Sequence, residues 1–65
     1  MYKIYGNYGL ESECLLEEFK SSSDAERWAK GYCRRDLGGY DSVEVISFHA
    51  DGEAVTHWRI TNESD

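Results

Sequence analysis

The sequence predicts an α+β fold: a single ββαββ domain whose four strands form one largely antiparallel sheet, with one helix across one face. Three observations predict it. Residues 21–39, "SSSDAERWAKGYCRRDLGG", carry helical spacing with stop and start signals at both ends. Two β-rich runs follow, "SVEVISF" and "AVTHWRI", on either side of "HADGEA", a hairpin signal. Two shorter strand candidates precede the helix, separated by the turn-rich "GNYGLES". The compact domain is expected to span 1–61, and the polar residues 62–65 are expected to fray.

The first element, "YKIYGNY" over residues 2–8, reads as a strand because tyrosine and isoleucine suit a pleated surface. Alternation sends Tyr2 and Ile4 to one face and Lys3 and Tyr5 to the other. The second, "ECLLEEF" over 13–19, has Leu15 and Phe19 at a spacing of four that also fits a helix. The preceding turn favours a strand closing a hairpin.

In the helix, Ser23 stands three residues before Glu26, the spacing of a capping box. Asp24 and Glu26 suit the first turn, and Arg34 and Arg35 the last. Gly38 or Gly39 is expected to end it. Ala25, Trp28, Ala29, Tyr32 and Leu37 form the apolar stripe.

The last hairpin fixes what the uncovered face of the sheet displays. A two-residue Asp51-Gly52 turn pairs Ile46 with His57, Phe48 with Val55 and Glu44 with Arg59. It also sends His49 and His57 to opposite faces, so they cannot share a ligand. A three-residue loop, Asp51-Gly52-Glu53, would put them on one face, still lacking a third ligand. The two-residue turn is preferred because it groups Val43, Val45, Trp58 and Ile60 beneath the helix. The uncovered face then shows Ile46, Phe48 and Val55, framed by Glu44, His57 and Arg59, with Lys3 and Tyr5 beside them. A contiguous apolar patch of that kind marks a contact surface, for another protein or for a second copy.

Composition narrows the function further. The chain has 65 residues, so its core supplies only about 3–5 kcal/mol of net stability and a deep, dry active site is hard to build. No nucleophile has a recognisable base, no glycine-rich phosphate loop occurs, and no cofactor or metal is expected. Cys33 lies beside Arg34 and Arg35, yet neighbours on a helix diverge by about 100°, so a packing role is expected for it and for Cys14. Thirteen acids oppose seven bases, a net charge of −6 that works against nucleic acid and anionic membranes. Five of the seven bases fall between residues 20 and 35. Glu11, Glu13, Glu17 and Glu18 make an acidic run that either presents charge to a basic partner or guards a strand edge. Lys3, Tyr5, Phe48, His57 and Arg59 on an open face would also suit stacking of single-stranded nucleic acid, the second reading. No apolar stretch reaches membrane-spanning length, and a cytoplasmic protein is expected.

Residues 15–32, "LLEEFKSSSDAERWAKGY", resemble a pattern in small accessory proteins of phages and mobile elements. There an acidic-aromatic strand end leads into a capped helix with an alanine and an early tryptophan. That resemblance implies a non-enzymatic, anti-defence type of protein that binds and blocks a host protein. Its modest acidity and basic helix separate it from the carboxylate-rich DNA mimics of that group. The expected surface is the open sheet face, Tyr5, Ile46, Phe48, Val55, His57 and Arg59, together with the acidic run.

Overall fold

A computed structural model describes residues 1–34 and 37–61. The tail expected to fray, and Arg35 and Asp36, lie outside the described residues. Strand β1 (Tyr2–Gly6) and strand β2 (Cys14–Phe19) precede helix α1 (Ser22–Tyr32), and strands β3 (Ser42–Phe48) and β4 (Ala54–Thr61) follow it. All pairings are antiparallel, in the spatial order β2-β1-β3-β4. The expected ββαββ fold is therefore present, with Cys14–Phe19 extended rather than helical. No helix of the described residues is long and apolar enough to cross a membrane.

The β1–β2 connection is organised by Asn7. Its backbone sits at φ 55°, a left-handed conformation that asparagine tolerates better than most residues. Its side-chain Oδ1 accepts from the backbone N–H groups of Asp41 (2.8 Å) and Ser42 (3.3 Å), while Nδ2 donates to Ser12 Oγ (2.9 Å). One buried amide thus ties the first hairpin to the start of β3.

The helix begins two residues earlier than the Ser23–Glu26 spacing suggests. Ser21 is the N-cap, accepting from the Asp24 N–H, and its hydroxyl also bonds that of Ser23. With three serines in a row, the one whose side chain reaches the third following N–H wins. The helix also ends early, at Tyr32, with Cys33 as C-cap. The Cys33 N–H bonds Ala29 O at 2.9 Å and the Arg34 N–H bonds Gly31 O at 3.4 Å, so the last turn tightens and stops. Lys30, not Arg34, is the base of the last turn. Gly38 (φ 64°) and Gly39 (φ 90°) instead shape the return to β3, and a Cβ on Gly38 would run into the Tyr32 phenol.

The helix packs on β1, β2 and β3 and buries Ala25 and Ala29 against Ile4, Val43, Val45 and the returning Leu37. Trp28 is half-buried and stacks on Tyr32, which remains exposed, at 5.0 Å between ring centres. Small residues at 25 and 29 let the helix sit close, and the larger aromatics seal its margin.

The final hairpin departs from both expected turns. His49 pairs with Glu53 around a three-residue loop, Ala50-Asp51-Gly52, with Gly52 at φ 89°. Asp51 caps the loop by accepting from the Glu53 N–H at 2.9 Å. A type I turn followed by a left-handed glycine avoids the positive φ that the two-residue form would force on Asp51. The loop shifts the pairing near the tip, to Phe48 with Ala54 and Ile46 with Thr56. A bulge between Val45 and Ile46 in the ladder, with His57 as the extra β4 residue, absorbs the shift. Beyond it Val45 pairs with Trp58, Glu44 with Arg59 and Val43 with Ile60, as the two-residue turn would have it.

Candidate functional site

The face of the sheet turned away from α1 is the main functional candidate. Two rows cross it in strand order: Glu18, Lys3, Ile46 and Thr56, then Leu15, Tyr5, Glu44 and Arg59. Phe48 lies beyond the first row. Directly opposed residues share a face, so the register alone places them.

Ile46 was expected to be exposed here and is not; it has no accessible surface. It alternates with Val45, which lies in the helix-side core, so the helix cannot be what covers it. The cover is a lid of long side chains on its own face. The Tyr5 and Phe48 rings meet edge to face at 6.2 Å, and the Lys3 ammonium stands 5.6 Å from the centre of the Phe48 ring. Lys3 also reaches Glu18 at 3.6 Å. Its aliphatic stem covers apolar surface while its head stays wet.

What remains accessible is aromatic and aliphatic. Phe48 is 41% exposed and Leu15 44%. Tyr5 and Tyr8 are half-buried, their rings 5.2 Å apart, so Tyr8, Tyr5 and Phe48 form a continuous line. Glu44 lies low between them, almost buried, and accepts from Thr56 Oγ1 at 3.3 Å. Arg59 is its register partner, yet among the described residues Arg59 makes no ion pair. The opposite-charge pair expected at that position is thus a matter of register only.

Two more expected members of the face are elsewhere. Val55 pairs with Ser47 and so falls on the helix side, because the three-residue loop reverses the parity of residues 54–56. His57, in the bulge, also turns to that side. Its Nε2 lies 2.6 Å from Ser47 Oγ and its ring meets Tyr2 edge-on at 5.1 Å. The acidic run does not form one surface either. Glu11 is exposed in the β1–β2 loop, and Glu13 accepts from the Gly9 N–H. Glu17 pairs with Ile4, on the opposite face from Glu18.

Tyr8 and Leu15 were missing from the sequence-based set. Leu15 faces Tyr5 only because the β1–β2 ladder shifts between Ile4 and Tyr5, with Leu16 as the extra residue; plain alternation back from Phe19 would send Leu15 to the helix side. Tyr8 follows the strand, where alternation gives no guidance.

Ser47 with His57 is a nucleophile–base contact that the sequence did not reveal. The 2.6 Å contact ties the extra residue of the bulge to β3. Cys14 and Cys33 are not joined in a disulfide. A hydrogen bond with the Cys14 thiol, then partial burial, raises the Tyr40 phenol above its ordinary value. Among the described residues no three potential ligands gather into a metal site. No protein-family model, curated protein or solved structure matches this chain, so its function is read from the uncovered face itself.

Proposed function

We propose that this chain is a non-enzymatic protein-binding domain that docks through its uncovered sheet face. One observation carries the reading: Phe48, Leu15, Tyr5 and Tyr8 remain accessible together on a face that no element among the described residues covers. Rings and aliphatic groups framed by Lys3, Glu18 and Arg59 match the make-up of a contact surface, with an aromatic centre and a charged rim. The likeness of residues 15–32 to phage and mobile-element accessory proteins adds host defence proteins to the surfaces worth testing.

Affinity capture with the tagged full chain tests it. The expected result is a stoichiometric protein complex kept by Arg27→Ala, on the helix, and lost on Phe48→Asp. The line of Tyr8, Tyr5 and Phe48 beside Lys3 favours a second reading, a stacking platform for single-stranded nucleic acid. Glu18 and Glu44 on the same face oppose it, as does the net charge of −6. Binding of nucleic acid alone, falling steeply with salt, would replace the first reading with the second.

A further inference from the structure

We infer that the occupant of the uncovered face is a second copy of this chain, related by a two-fold axis that carries Glu18 of each copy onto Arg59 of the other. The inference rests on the protein-binding reading and names its partner.

Glu18 and Arg59 occupy opposite corners of the block formed by Glu18-Lys3-Ile46-Thr56 and Leu15-Tyr5-Glu44-Arg59. With strands about 4.8 Å apart and rows about 6.7 Å apart, those corners are about 16 Å from each other, beyond any contact within one copy. A two-fold axis lying between two facing sheets, running roughly along the strands, exchanges the corners. It makes two Glu18–Arg59 pairs at once, as an isologous interface requires.

The same operation does more than the pair that defines it. On that grid the axis passes beside Tyr5, so the two Tyr5 rings meet near the centre. It also sets Lys3 of each copy down between Ile46 and Glu44 of the other, within a lysine side chain's reach of that carboxylate. Arg59 has no ion pair among the described residues, and the Glu44 carboxylate accepts there from the Thr56 hydroxyl; both thereby gain partners of opposite charge. Phe48 is carried onto the small Ala54 of the second copy, a flat place for a ring. One symmetry element thus satisfies the charged corners and stacks the exposed rings.

The size also fits. A standard interface takes about 800 Å² from each partner, roughly one-sixth of the 4601 Å² surface of this chain. The Cα atoms span 38 × 25 × 16 Å, and one broad face of a slab with those proportions holds about a quarter of its surface, enough for a standard interface.

Charge-reversed chains test the inference. Sedimentation equilibrium of the native chain is expected to show twice the 7.5 kDa monomer mass as concentration rises. Glu18→Arg and Arg59→Glu each spoil two pairs per dimer, so each alone should self-associate at least about tenfold more weakly. Mixed together they restore both pairs, and a 1:1 heterodimer is expected to exceed either homodimer. Circular dichroism of each chain alone establishes that it is folded before mixing. If either fails to fold, the native chain and Phe48→Asp are compared instead, and the native chain alone should dimerise. A dimer indifferent to both reversals and to Phe48→Asp would overturn the inference. So would a strict monomer that still captures another protein through Phe48, an outcome that leaves the broader reading standing. A strict monomer with no Phe48-dependent protein partner would overturn both.

Discussion

The two faces of this sheet bury their central aliphatic side chains by different means. On one face, α1 lays Ala25 and Ala29 over Ile4, Val43 and Val45, and the shielding comes from a separate element of backbone. On the other, Ile46 is equally inaccessible, but its cover is made of neighbouring side chains, Tyr5, Phe48 and the stem of Lys3. A helical cover is held by backbone hydrogen bonds and excludes any other occupant. A side-chain cover has rotamer freedom, protects what lies beneath, and still offers its outer surface to a partner. Burial at one residue and accessibility of the patch above it are therefore compatible, which a reading by face alone does not anticipate.

Substitutions on the two faces put that contrast to the test. Ile4→Ala on the helix side should have the largest effect, about 2–5 kcal/mol, and leave the chain mostly unfolded by urea titration given its small core. Next, Asn7→Ala should cost about 2–3 kcal/mol by the same titration, because the Asp41 and Ser42 N–H groups lose their acceptor. Ile46→Ala should cost about 2 kcal/mol, at the low end for such truncations, since a lid of flexible side chains can settle into the space. An equal loss at Ile4 and Ile46 would show that the two covers are equally rigid. Phe48→Asp should change the unfolding free energy from the same urea titration by about 1 kcal/mol or less while abolishing complex formation. Lys3→Gln should have the smallest effect, within about 0.5 kcal/mol in thermal melts, because its pair with Glu18 is exposed.

The sequence disclosed the architecture because each element carried its own local signal. The serine-rich start, the alanine–tryptophan stripe and the β-branched runs all agree with their observed positions. The pairing of Val43, Val45, Trp58 and Ile60 was legible as well, since those residues have to meet beneath the helix. The faces of Val55 and His57 were not. They depend on a loop one residue longer than the Asp51-Gly52 pattern suggests, and on a bulge that leaves no compositional mark. The burial of Ile46 was hidden for another reason: it depends on the reach of Lys3, Tyr5 and Phe48 across strands, which a pattern of alternation does not encode. The helix end escaped because the glycines that looked like a stop serve the loop beyond it.

The bulge at His57 also isolates the hairpin tip mechanically. The tip can lengthen, and the irregular residue next to Trp58 takes up the mismatch before it travels to Val45. Residues 50–53 are consequently the place to splice in a reporter peptide or a fluorophore anchor: such a graft would leave Val43, Val45, Trp58 and Ile60 beneath the helix undisturbed, at the end of the sheet opposite the Asn7 knot.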